Sequence, residues 1–268
     1  MSPTISRVLD VPGVGEVEVT VDDRGEGQSF LLLHGGAGPQ SMAPFAALLA
    51  EHIQNRVLIP VHPGFGGTLR PEGLDSMSGL ARSYLALLDS LDLEDVTVIG
   101  NSIGGWITAE MALLNSPRIS GIVLVDAVGI EVDGHPVADV STLALPQIMA
   151  LSFHDPAPFR VDPATMTDTQ KAAMAANAVA LGVYSAGTMA DPTLLKRLHN
   201  VAIPTLVLWG ESDQIADLEY GRAYAAAIHR ARFQVLPATG HMPQLETPEL
   251  LLRAIWDSGE TPLAGGPR

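Results

Sequence analysis

The 268-residue chain has no cysteine. That absence excludes disulfides, thiolate metal sites and a cysteine nucleophile. Cations are scarce as well: 15 lysines and arginines stand against 30 aspartates and glutamates, a formal net charge of -15. Nucleic-acid binding wants a basic face, so that class drops out. The acidic surplus reads as a soluble, self-repelling surface. No apolar stretch reaches ~18 residues, so no membrane span is expected. Residues 1–10 lack a basic segment followed by an apolar run, so no signal peptide is expected and the cytoplasm is the default location. There is no G-x-x-x-x-G-K-[ST] loop and no H-E-x-x-H pair, and no metal or cofactor is expected. Internal repeats and low-complexity tracts are absent too. What is present is a chain that is 47% hydrophobic and 17% charged. Such a chain can bury a large α/β core, alone or with an inserted subdomain.

The most informative stretch is Gly100-Asn101-Ser102-Ile103-Gly104. It fits G-x-S-x-G, a nucleophile elbow, in which a serine sits on a sharp turn between a strand and a helix. The context agrees. Residues 96–99 are short, β-branched and apolar, as a buried strand is, and residues 103–114 repeat apolar side chains at helical spacing. Glycines two residues either side allow strand and helix to approach closely. The helix start supplies free backbone N–H groups beside the hydroxyl.

The rest of the chain alternates in the same way. Strands are expected at 14–21, 30–33, 57–61, 122–125, 205–209 and 233–236, and helices at 44–53, 76–91, 218–228 and 248–256. Such alternation implies a mostly parallel sheet with helices on both faces. Residues 258–268, rich in glycine and proline, are expected to fray. Residues 130–200 break the pattern: helical pieces such as 169–181 are interrupted by Pro136, Pro146, Pro156, Pro158, Pro163 and Pro192. The segment is too apolar for a disordered loop, so it reads as a helical cap inserted between two core strands. The core is then 1–129 and 201–268.

A serine nucleophile needs a base, an acid that orients the base, and an oxyanion hole. His241 follows the last expected strand on a short loop and is the base candidate. Asp213 lies just past the C-terminal end of a strand, where parallel sheets present catalytic groups, and is the acid candidate. Asp126 is its rival at the end of the strand after the elbow helix; Glu211 and Asp217 are weaker rivals. The oxyanion hole pairs the N–H of Ile103 with that of Gly36 or Ala37, in the glycine-rich loop that begins at His34.

Together these residues make the chain resemble the α/β-hydrolase family over about residues 14–256. The likeness rests on His34-Gly35-Gly36, the elbow, Gly210-Glu211-Ser212-Asp213 and Gly240-His241. Ser102, Asp213, His241 is the family's order of nucleophile, acid and base. The resemblance implies an eight-stranded, mostly parallel α/β-hydrolase sheet and a cap after the sixth strand. Residues 62–68 are similar to the family's loop after the fourth strand, with His62 where an aspartate is usual; a buried turn is the favoured role for this imidazole. The expected activity is cofactor-free cleavage of a carboxylic ester or similar small acyl substrate through an acyl-enzyme. Asn101 before the serine, together with His-Gly-Gly, is similar to the C–C bond hydrolases of aromatic degradation, so C–C or enol-lactone hydrolysis is the alternative. A ligand-binding protein with vestigial turnover is the alternative from another class. His34, Trp106, Met149 and Phe153 are expected to contact the substrate, in a largely apolar pocket.

Overall fold

The computed structural model describes residues 4–51 and 55–257. The fraying expected at 258–268 lies outside the described residues, as do the last positions of the helix expected at 44–53. Eight strands form one sheet in the order β1-β2-β4-β3-β5-β6-β7-β8. They are β1 (Thr4–Val11), β2 (Gly15–Gly25), β3 (Gln28–Leu33), β4 (Asn55–Pro60), β5 (Val96–Asn101), β6 (Ile119–Val125), β7 (Thr205–Gly210) and β8 (Arg232–Leu236). β1 and β2 join antiparallel; every pairing from β4 across to β8 is parallel.

The apolar runs explain the layering. Along β3, Leu31 and Leu33 enter one core while Phe30 and Leu32 enter the other. A strand whose alternate side chains all meet helices has no reason to carry polar residues. Helices α1 (Ala43–Glu51) and α9 (Pro248–Asp257) cover one face; α2 (Met77–Ser90), α3 (Ile103–Leu113) and α7 (Leu218–Ala227) cover the other. The exposed edge strand β1, in which Val8 is 67% accessible, pairs with β2 alone.

Between β6 and β7 the chain adds no strand to the sheet. It forms α4 (Leu145–Ser152), α5 (Asp168–Tyr184) and α6 (Leu194–Arg197), joined by irregular and 3-10 segments. α5 is tied at two points to the core loop that follows β4. The Asn177 amide oxygen accepts from Gly66 N–H at 2.8 Å, and the Tyr184 hydroxyl donates to Pro63 O at 2.8 Å. Arg197 at the end of α6 grips buried Glu110 of α3 through two bonds of 2.9 and 2.7 Å and also holds Asp191. α8 (Pro243–Glu246) follows β8 after the loop 237–242 that carries His241.

Candidate active site

The loops that follow β3, β5, β6, β7 and β8 gather at the C-terminal edge of the sheet, where the topology places ligands. Ser102 joins β5 to α3 with φ 56° and ψ -120°. That conformation is strained for a residue with a side chain and turns the hydroxyl away from the helix. The flanking glycines are obligatory: a Cβ on Gly104 would lie 2.1 Å from Leu33 O, and one on Gly100 would lie 2.2 Å from Gly104 O.

Asp213 and His241 meet directly. Asp213 Oδ2 accepts from His241 Nδ1 at 2.7 Å, and Asp213 Oδ1 accepts from the N–H groups of Ile215 at 2.7 Å and Ala216 at 3.1 Å. The Asp213 carboxylate is thus fixed on both oxygens. Because Nδ1 carries the proton, Nε2 is the basic nitrogen; it is buried and has no hydrogen-bond partner among the described residues. The Trp209 indole donates to Ala216 O at 2.9 Å and so pins the loop that presents Asp213.

Asn101, the residue before Ser102, holds the His241 loop. Asn101 Nδ2 donates to His241 O at 2.9 Å and to Val125 O at 3.3 Å, while its Oδ1 accepts from Gln244 Nε2 at 3.0 Å. α4 and the residues after it hold the same loops from outside. His241 N–H donates to Ser152 O at 2.8 Å, Gln214 N–H to Leu151 O at 3.1 Å, and the His154 ring bonds to the Ser212 hydroxyl at 2.8 Å. Glu246 accepts from Gly240 N–H at 2.6 Å and from Asp155 N–H at 2.9 Å.

The glycine-rich loop lies against the serine: a Cβ on Gly35 would sit 3.1 Å from Ser102 Cβ. Gly36 and Ala37 are the central residues of a turn closed by Gly38 N–H and Gly35 O at 3.1 Å. Their own N–H groups bond to no group among the described residues. The Leu181 side chain packs over Gly36.

His34 does not take the substrate-contact position expected of it. It is fully buried, its Nε2 accepts from His62 N–H at 3.1 Å, and its Nδ1 bonds to Gly35 O at 2.8 Å. Both ring nitrogens are spent on the loop's own shape. His62 stacks on it at 3.7 Å, donates from Nε2 to His34 O at 2.9 Å and accepts the Tyr84 hydroxyl proton at Nδ1. This is a buried turn, the role favoured for His62. Burial holds both imidazoles neutral: it lowers His34 to about 4, and His62 well below the ordinary histidine value with the neighbouring His34 adding to the shift. Trp106 is also set back, packed into the core beneath Gly129. Phe153 is buried beside Gly240, stacked on Phe159 at 4.3 Å, and Met149 is half-buried on α4.

Asp126, the rival acid, is not at the histidine's Nδ1. It sits behind Asp213, with Oδ1 accepting from Gly210 N–H at 2.7 Å. Donor atoms of Asp126, Asp213 and His241 lie within 4.8 Å of one another, close enough to bracket a cation. The hydrogen bonds above already occupy Asp213 and His241 Nδ1, so the cluster is a hydrogen-bonded carboxylate–imidazole pair with a second carboxyl behind it.

The alpha/beta hydrolase family model matches residues 30–254. The chain belongs to the alpha/beta hydrolase family. A 2-hydroxy-6-oxononadienedioate/2-hydroxy-6-oxononatrienedioate hydrolase of Paraburkholderia xenovorans is 29% identical over 91% of each chain. A 2-hydroxymuconate semialdehyde hydrolase of Pseudomonas putida is 28% identical, covering 95% of this chain and 94% of that one. Among solved structures, a thermophilic esterase from Thermogutta terrifontis superposes with a TM-score of 0.75 at 24% identity, covering 96% of this chain and 99% of that one. The protein is therefore an α/β-hydrolase enzyme, and among the described residues no helix is long and apolar enough to cross a membrane.

Proposed function

We propose that the protein is a serine hydrolase whose nucleophile is Ser102, whose base is His241 and whose orienting acid is Asp213. The observation that carries this reading is the 2.7 Å bond from His241 Nδ1 to Asp213, made by a histidine whose own carbonyl is held by the residue next to Ser102. His241 Nε2 takes the Ser102 proton as the hydroxyl attacks the substrate carbonyl. The N–H groups of Ile103 and of Gly36 or Ala37 receive the oxyanion. His241 then protonates the leaving group and activates the water that cleaves the acyl-enzyme. Asp213 keeps the imidazole proton on Nδ1 and stabilises the imidazolium.

Residues 130–200 act in this reading as a cap over the site and supply an apolar acyl pocket that includes Leu181, Phe153 and Met149. The charges of this segment favour an uncharged ester over an anionic substrate. Arg197 is committed to Glu110 and Asp191, and Arg160, Lys171 and Lys196 are exposed. Arg70, on the core loop below α5, is turned onto the carbonyls of Pro71, Glu72 and Leu74.

The second reading, C–C bond hydrolysis, draws on the two relatives named above for 2-hydroxy acid substrates. The Asn101 resemblance adds little to it, since the Asn101 amide is spent on His241 O, Val125 O and Gln244. The experiment is a panel of p-nitrophenyl esters of increasing acyl length, set beside a vinylogous diketo acid. Ester turnover with a kcat/KM well above that for the diketo acid supports the first reading; the reverse order replaces it with the second.

A further inference from the structure

Asp126 follows β6 with φ 46°, a left-handed conformation that aims its side chain toward the end of β7. Its backbone N–H donates to Leu208 O at 3.0 Å and its Oδ1 accepts from Gly210 N–H at 2.7 Å, so its position is set by two bonds to β7. The residue is 0% exposed, and no donor among the described residues reaches Oδ2. Yet Oδ2 is not remote from polar groups. A carboxyl oxygen of Asp126, one of Asp213 and a ring nitrogen of His241 all lie within 4.8 Å of one another. Two ionised carboxylates cannot bond to each other, and a buried pair of like charges is expensive. One proton between them removes both costs. Asp213 accepts three N–H bonds, the last from the imidazole, and is the better anion; Asp126 accepts one.

We infer that Asp126 is a neutral carboxyl that donates its proton to Asp213, a positioning residue that holds the acid toward His241. Burial raises Asp126 well above the ordinary carboxylate range, and the negative charges of Asp213 and Glu246 push the same way. The titratable groups that face it are Asp213, Glu246 and His241. The inference rests on the triad reading for its consequence: a neutral donor orients Asp213 and shares its charge without placing a second anion beside the histidine.

The test compares Asp126→Asn with Asp126→Ala, reading the His241 imidazole by NMR titration and the acid limb of p-nitrophenyl butyrate hydrolysis. Asparagine can accept from Gly210 and donate to Asp213, so Asp126→Asn restores what alanine loses. In Asp126→Asn the imidazole midpoint stays within about 0.3 unit of wild type. In Asp126→Ala the Asp213 charge is less shared, the midpoint moves up, and kcat/KM falls about tenfold. If Asp126 were ionised, both substitutions would remove an anion near His241, and both midpoints would fall by about one unit or more; that result overturns the inference. Should neither variant fold, the wild-type infrared spectrum at pH 7 decides: a protonated-carboxyl C=O stretch is expected, and its absence is contradictory. The NMR and infrared readouts need no turnover. A failure of the triad itself shows separately, as ester hydrolysis persisting in Ser102→Ala.

Discussion

Replacing Asp213 with asparagine should disable the base while leaving its position nearly unchanged. The structure dictates which way the new amide points. If its NH2 took the place of Oδ1, it would confront the N–H groups of Ile215 and Ala216, leaving two buried donors unpaired. Each unpaired donor costs about 1–3 kcal/mol. If the NH2 takes the place of Oδ2, it faces His241 Nδ1, which can give up its proton to Nε2. The second arrangement wins. The imidazole then carries its proton on the nitrogen that should accept from Ser102, and the imidazolium of the transition state loses its anionic partner. The Asp213 side chain is 0% exposed, so solvent does not restore the charge. The expected loss in kcat is up to ~10⁴-fold, or about 5 kcal/mol of transition-state stabilisation. The assay is p-nitrophenyl butyrate hydrolysis at pH 8, beside a circular-dichroism melt to confirm the fold. An Asp213→Asn protein with an unchanged melt and a kcat within tenfold of wild type would refute the assignment of the acid.

Asn101→Ala should lower stability by about 1–3 kcal/mol in urea, because Gln244 and two carbonyls lose a buried partner; kcat should fall at least tenfold as the His241 loop loosens. Acid should weaken the fold. The folded-state value of His34 is depressed to about 4, below the unfolded value of about 6.5, so the unfolded chain takes up the proton first. Its contribution is complete above about pH 6.5 and is lost as pH falls toward 4, roughly 3 kcal/mol for His34 with His62 in the same direction; urea midpoints that stay flat across that window would contradict neutral imidazoles. Esters with short-to-medium apolar acyl groups should exceed dicarboxylic monoesters in kcat/KM, measured on one p-nitrophenyl series, and a preference for the charged acyl groups would contradict the apolar pocket.

The fold was legible because burial on both faces leaves a simple signature. β3 to β7 carry continuous apolar runs, and the glycines around Ser102 mark a turn too tight for side chains. β1 escapes that signature because it is an exposed edge with polar residues on its free side. α4 is hidden by the proline at its start and by its short length. In the site, the strand-end places of Ser102, Asp213 and His241, the proposed triad, were legible. The groups that hold them were not. Gln244 meets Asn101 across 143 residues of chain, and no local pattern announces that. The adjacency of Asp126 and Asp213 follows from β6 and β7 lying side by side, a fact of sheet order. His34 misled for the opposite reason. Its place before two glycines suggested a residue open to substrate, but packing against His62 and Phe65 turned it inward.

The central claim is that Ser102 is the reactive nucleophile, and covalent labelling tests it most directly. Wild-type protein treated with a fluorophosphonate probe should gain one adduct, located by peptide mass spectrometry on the peptide that contains Ser102. In Ser102→Ala the adduct should vanish and ester turnover should fall by ~10³-fold or more, with the melting temperature retained. Labelling at another residue, or normal turnover by a folded Ser102→Ala protein, would contradict the account.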